Sequence, residues 1–60
     1  MYTKKEIKEE LRRQKESLNT ALGHVQETVA NGDLRLAEEW ANSIKHHIVV
    51  IKTLKTFLDL

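Results

Sequence analysis

Apolar residues in the first half of the chain recur at steps of three, four and seven positions. This spacing places them on one face of an α-helix and does not fit the alternation of a β-strand. Thr3 followed by Glu6 has the form of a capping box, which satisfies free backbone N–H groups at a helix start. We therefore predict a helix over residues 4–30 with an apolar stripe about 100° wide. The stripe contains Ile7, Leu11, Leu18, Ala21, Leu22, Val25 and Val29, with Gln14 on the same face.

A short turn at Asn31-Gly32-Asp33 interrupts the helical pattern. Glycine suits the left-handed conformation that ends many helices, and aspartate is a favoured N-cap for a following helix. So short a connection makes the two helices antiparallel neighbours. The apolar spacing then resumes and predicts a second helix over residues 34–58, in which two adjacent apolar rows together span roughly 200°. The fold class is therefore all-α, an antiparallel two-helix hairpin.

The second helix has about twice the apolar width of the first. One neighbouring helix covers a stripe of about 100°, so the first helix cannot cover the second completely. The sequence thus predicts a homodimer in which two hairpins form a four-helix bundle. Two alternatives remain: a different protein covers the surplus, or a monomer leaves part of it exposed. The predicted oligomer or partner interface consists of Trp40, Ile44, His47, Ile48, Val50, Ile51, Leu54, Phe57 and Leu58.

Composition changes this interpretation little. The 60 residues make a single helical-hairpin domain over residues 1–60, too short to build a large core. There is no cysteine, so disulfides and thiolate metal sites are excluded, and oligomerisation is the usual source of further stability. The net charge of +1 is not typical of a dedicated nucleic-acid-binding domain. No apolar run is long enough for a signal peptide or a membrane span, so we expect a cytoplasmic protein without membrane contacts.

The histidines and carboxylates lack the spacing of a catalytic or metal site. His46 and His47 are neighbours in sequence and diverge by about 100° on a helix, so they cannot hold one metal together. We expect His24 on the outer face of the first helix and His47 at the edge of an interface, where it could make binding sensitive to pH. The sequence has no Gly-rich phosphate loop and no nucleophile elbow. We therefore expect no enzymatic activity, no cofactor, no metal and no small-molecule substrate.

Four basic residues of the first helix follow one another at steps of three and four: Lys5, Lys8, Arg12 and Lys15. They form a basic ridge beside the apolar stripe, and this ridge has three interpretations. It is a solvated flank whose lysine stems shield the core edge, a docking surface for an acidic protein, or a set of phosphate contacts to RNA or DNA. The ridge contains no aromatic residue, which argues against binding to single strands.

These features favour a small protein–protein interaction module, a regulator, inhibitor or adaptor that acts through helix-face docking. A first alternative is a four-helix-bundle dimer that binds structured RNA or DNA through the basic ridge, and a second is a structural assembly unit. In architecture the hairpin is similar to small helical-hairpin regulators of bacteria and phages, which include a dimeric RNA-binding four-helix bundle. This resemblance is one of shape, with no residue motif behind it, and it implies a dimeric regulator.

Overall fold

The structure, a computed structural model, describes residues 2–59 as two long helices packed side by side. Helix α1 spans Lys4–Ala30 and helix α2 spans Leu34–Asp59. The molecule measures 43 × 16 × 14 Å, so the two helices run along each other over nearly their full length. The predicted all-helical hairpin is therefore confirmed, and α2 continues one residue beyond the end that the sequence indicated.

The capping box at the start of α1 forms as predicted. The backbone N–H of Glu6 donates to the hydroxyl oxygen of Thr3 at 3.2 Å, and the backbone N–H of Thr3 donates to a Glu6 carboxylate oxygen at 3.3 Å. Two backbone donors that have no partner within the helix are thereby satisfied. The start of α1 is consequently marked by contacts between residues within its first turn and N-cap.

The turn between the helices combines a Schellman motif with an aspartate N-cap. Gly32 has a φ of 76°, a left-handed conformation that favours glycine. The N–H of Asp33 donates to the carbonyl of Thr28 at 2.9 Å, and the N–H of Gly32 donates to the carbonyl of Val29 at 3.0 Å. The carboxylate of Asp33 accepts the N–H of Leu36 at 3.1 Å and so caps α2. This turn ends one helix and starts the next within three residues.

The two helices meet along a line of residues that we call the inner seam. Its members alternate at steps of three and four, the spacing of coiled-coil packing, and all are buried or half-buried. Ala21 is 1% exposed, so small side chains let the helices approach closely at this level. From α1 the seam contains Ile7, Leu11, Gln14, Leu18, Ala21, Val25 and Thr28. From α2 it contains Ala37, Trp40, Ile44, His47, Ile51, Leu54 and Leu58.

The inner seam alone makes a thin core. Within residues 2–59 the buried side chains are Ala21, Thr28, Ala37 and Ile51, and most seam residues keep part of their surface exposed. The hairpin exposes 4883 Å² to solvent. A compact monomer of 7.0 kDa would expose about 4,000 Å². The hairpin thus exposes roughly 850 Å² more than a globular protein of its mass.

Candidate interaction surfaces

Helix α2 carries a second line of residues that overlaps the inner seam and that α1 covers only in part. We call it the second seam, and it also repeats at steps of four and three over six intervals. Phe57 is 56% exposed and Leu36 is 40% exposed, while the other members are half-buried. Helix α2 therefore presents two overlapping packing faces, of which the inner seam is occupied by α1 and the second seam is only partly covered. The second seam contains Leu36, Trp40, Ser43, His47, Val50, Leu54 and Phe57.

The residues predicted to form the interface are divided among three surfaces. Trp40, His47, Val50, Leu54 and Phe57 belong to the second seam, and three of them also line the inner seam. The other four lie elsewhere. Ile51 is buried against α1, Ile44 and Leu58 are half-buried in the inner seam, and Ile48 is exposed on the other side of the hairpin.

The sequence had suggested that the surplus apolar surface lies on α2 alone, but α1 carries some of it as well. Leu22 is 45% exposed and Val29 is 53% exposed, although both belong to the predicted stripe of α1. Each directly follows an inner-seam residue, Ala21 or Thr28, and so lies about 100° round the helix from it. The stripe of α1 is thus wider than the surface that α2 covers.

A hydrogen-bonded polar pair joins the helices near the middle of the inner seam. The amide of Gln14 donates to a carboxylate oxygen of Glu10 at 3.0 Å, which turns its carbonyl oxygen toward α2. That oxygen lies 2.6 Å from Nδ1 of His47, so Nδ1 carries the proton and donates. A polar pair at one level of an apolar seam favours a single register of the two helices. The sequence had placed both residues on apolar faces but had not paired them.

His24 does not lie on the outer face of α1, and that expectation was wrong. Its ring stacks on the indole of Trp40, with centroids 4.3 Å apart and planes inclined by 13°. His24 is half-buried because it directly precedes the inner-seam residue Val25 and therefore flanks the seam. The stack holds Trp40 in one orientation at the boundary between the inner and second seams. A large aromatic side chain fixed in this way loses little conformational entropy on binding a partner.

The side of the hairpin that carries the second seam is concave. A groove of about 490 Å³ is lined from α2 by Trp40, Ser43 and His47, and from α1 by Arg13, Ser17 and Thr20 among others. A second groove, of about 550 Å³, continues past Arg13 to Leu54 and Tyr2. The α2 wall of this trough carries its two large apolar side chains, Trp40 and Leu54, together with Ser43 and His47, and the α1 wall is largely polar. Such a trough suits a helix that packs mainly against α2.

The basic ridge of α1 is only partly available to a ligand. Arg12 donates to Glu16 at 2.6 Å and to Glu9 at 2.5 Å. The hydrogen bond from Arg12 lowers the pKa of Glu9, and the same bond raises the pKa of Arg12. The guanidinium is therefore balanced by two carboxylates on its own helix. Lys5, Lys8 and Lys15 are exposed, as the sequence predicted for a ridge.

Lysines of α2 lie on the same side of the hairpin as this ridge. Lys8 and Lys15 directly follow the inner-seam residues Ile7 and Gln14, and Lys55 directly follows Leu54. In antiparallel packing the residues at these positions of the two helices flank the same edge of the seam. Lys52 lies three residues before Lys55 and so adjoins it on the helix surface. Reasoning from the sequence missed this grouping because it depends on how the two helices are aligned.

We call this side of the hairpin, away from the second seam, the opposite flank. Towards the turn it carries exposed Leu22, Val29 and Leu34, with half-buried Ala41 and exposed Glu38 among them, and exposed Ile48 lies farther from the turn, level with Arg12 and Lys15. Towards the open end it carries the lysines. The flank therefore consists of an apolar half and a basic half.

Neither helix, within residues 2–59, combines the length and the hydropathy needed to cross a membrane. The hairpin leaves two surfaces partly or wholly uncovered, the second seam and the opposite flank. Comparison of the chain with protein-family models, curated protein sequences and solved structures finds no match.

Proposed function

We propose that this chain is a non-enzymatic interaction module that forms a homodimeric four-helix bundle in the cytoplasm and docks on another protein. The observation that carries the proposal is the second seam, a line of packing residues as long and as regular as the inner seam, which shares three residues with it and which α1 covers only in part. A bundle dimer of this kind acts by covering or bridging a partner's surface, as a regulator, inhibitor or adaptor does.

The second seam is symmetric about its own centre, near His47. If α2 packs antiparallel on α2 of a second copy, Leu36 faces Phe57 of that copy and Trp40 faces its Leu54. Ser43 then faces Val50 of the second copy. Each residue has a partner within the same set, as a two-fold symmetric interface requires. The seam is thus self-complementary in an antiparallel arrangement.

The exposed area of the hairpin agrees with a dimer of standard size. The excess over a compact monomer is roughly 850 Å². A stable protein–protein interface buries about 800 Å² on each partner. Docking of a second copy on the trough would therefore bring the exposed surface per chain close to that of an ordinary globular protein.

Two adjacent valines provide a matched test of the dimer. Val50 belongs to the second seam, whereas Val49 is 62% exposed and lies outside both seams. Val50→Asp places a carboxylate in the interface of each copy. Losing the burial of one valine costs about 1.5–3 kcal/mol, so two copies lose about 3–6 kcal/mol. Since about 1.4 kcal/mol is a factor of ten, the dissociation constant should rise by about 10² to 10⁴.

Light scattering during gel filtration, at several protein concentrations, measures the outcome. We expect the unmodified chain and Val49→Asp to migrate as dimers, and Val50→Asp to shift to monomer or unfolded chain. Ile51→Asp is a poorer probe, because Ile51 is buried in the inner seam and its replacement disrupts the hairpin itself. A monomeric unmodified chain, or equal loss of dimer in both valine variants, would contradict the proposal.

A further inference from the structure

The opposite flank is an amphipathic surface that the proposed dimer leaves uncovered. The second-seam residues Ser43 and Val50 each directly precede an inner-seam residue of α2. Ile48 and Lys55, on the opposite flank, each directly follow one. The two sets therefore lie on opposite sides of the plane that contains the helices. A dimer formed through the second seam has two opposite flanks, one on each outer surface.

Charge is distributed unevenly between this flank and the rest of the chain. Seven of the ten basic residues occupy its open half or adjoin it: Lys5, Lys8, Arg12, Lys15, Lys45, Lys52 and Lys55. The acidic residues on the flank or paired with its arginine are Glu9, Glu16, Glu38 and Asp59, which leaves this region with a formal charge of +3. Because the whole chain has a net charge of +1, the remainder carries −2. The basic half of the flank is thus a local positive surface on a nearly neutral protein.

We propose that the opposite flank binds an acidic amphipathic helix of another protein, as the third helix against α1 and α2. The apolar half of the flank supplies a contact for leucine-like residues, and the basic half supplies a contact for glutamates and aspartates. This extends the proposed function by naming the chemistry of the partner.

The apolar half distinguishes a helix from a nucleic acid as the occupant. Phosphate contacts would engage the lysines but would leave Leu22, Val29 and Ile48 exposed to water. An amphipathic helix covers both halves at once. From Lys8 to Val29 the flank is about 31 Å long at 1.5 Å per residue, the length of a helix of about 21 residues. The occupant's acidic end lies over Lys8 and Lys55, and its apolar end lies near the turn.

A labelled synthetic peptide tests this assignment by fluorescence anisotropy. The probe is a 21-residue helical peptide with leucines at heptad spacing along one face and glutamates concentrated in one half. A matched peptide carries glutamine in place of every glutamate, and a 21-base-pair RNA duplex serves as the competing ligand. We expect the acidic peptide to bind at least about tenfold more tightly than the glutamine peptide at low salt, and less tightly as salt is raised.

Variants of one apolar residue and of the basic residues of the flank locate the site. Ile48→Asp should weaken binding of the acidic peptide by about tenfold or more, because it removes apolar contact. The triple variant Lys8→Glu, Lys15→Glu and Lys55→Glu should do the same by reversing the local charge. Val49→Asp, one residue away and outside the flank, should leave affinity unchanged. Circular dichroism and light scattering on every variant establish that the helices and the oligomeric state are retained.

Two results would overturn the assignment. One is failure of the acidic peptide to bind a chain that is still dimeric, which leaves the proposed dimer intact and removes only this inference. The other is binding of the RNA duplex that is tighter than binding of the acidic peptide and that the lysine triple variant abolishes. That pattern would assign the basic half to phosphate contacts instead.

Discussion

The hydrogen bond between Gln14 and His47 provides a quantitative test of how the two helices are aligned. The bond joins residues that are 33 positions apart in sequence, so it exists only if the hairpin has the register described here. Gln14→Leu removes the acceptor and leaves the His47 N–H in a half-buried site. His47→Leu removes the donor and leaves the Gln14 carbonyl without that partner.

The expected energies follow from the burial of the pair. An intramolecular hydrogen bond contributes about 0.5–1.5 kcal/mol net, and a buried group left without a partner costs about 1–3 kcal/mol. Both side chains are half-buried, so water reaches the orphaned group and the cost falls to about 1 kcal/mol for each single variant. In the double variant two leucines meet and no polar group is orphaned. We therefore expect it to be close to the unmodified protein in stability, with a coupling energy of about 1–2 kcal/mol.

Urea unfolding followed by circular dichroism measures this coupling. All four proteins are compared at one chain concentration, because the stability of a dimer depends on concentration. The expected result is that each single variant unfolds at lower urea than both the unmodified protein and the double variant. If the two single effects simply add, to within about 0.3–0.5 kcal/mol, the residues are not in contact and the described register is wrong.

Two further predictions concern the turn and the ion pairs of α1. Gly32 has a φ of 76° and open space around its Cα, so Gly32→Ala should cost about 1–2 kcal/mol through backbone conformation alone. Gly23→Ala, inside α1 and also unobstructed, should instead stabilise the protein by about 1 kcal/mol, and thermal unfolding at fixed concentration compares the two. Arg12→Gln should raise the pKa of Glu9 toward its ordinary value of 4.5, as measured by carboxyl NMR titration. Because the folded-state pKa of Glu9 is lowered, ionised Glu9 stabilises the fold fully at pH values above its unfolded-state pKa. This stabilisation is lost as the pH falls through the folded-state pKa of Glu9. The loss of stability on acidification should therefore be smaller in Arg12→Gln.

The parts of the fold that local chemistry determines could be predicted from the sequence. The capping box at Thr3, the left-handed Gly32 and the aspartate cap each depend on residues within a few positions of one another. The helical period of the apolar residues likewise needs no knowledge of the partner helix. For these reasons the sequence was sufficient to identify two helices and the turn between them.

The parts that depend on alignment of the helices could not be predicted in the same way. The stack of His24 on Trp40, and the lysines of α2 beside those of α1, follow from which residues face each other across the seam. The sequence did contain one signal for this register. Gln14 and His47 are polar residues on apolar faces at similar distances from the turn, and pairing them would have aligned the helices.

The central claim, that α2 packs antiparallel on α2 of a second copy, can be tested by disulfide cross-linking, since the chain contains no cysteine. Ser43→Cys and Val50→Cys are prepared as separate proteins and oxidised alone or as an equimolar mixture. With the symmetry centre near His47, the introduced thiols at position 43 of two copies are about 11 Å apart along the axis at 1.5 Å per residue, beyond the reach of a disulfide. Position 43 of one copy lies opposite position 50 of the other.

We predict that a cross-linked dimer forms in the mixture and not in either protein alone. Mass spectrometry then identifies one copy of each variant in the product. Cross-linking of Ser43→Cys with itself would indicate a parallel arrangement of the α2 helices. No cross-linked dimer in any of the three samples, with the hairpin still helical, would contradict the proposed four-helix bundle.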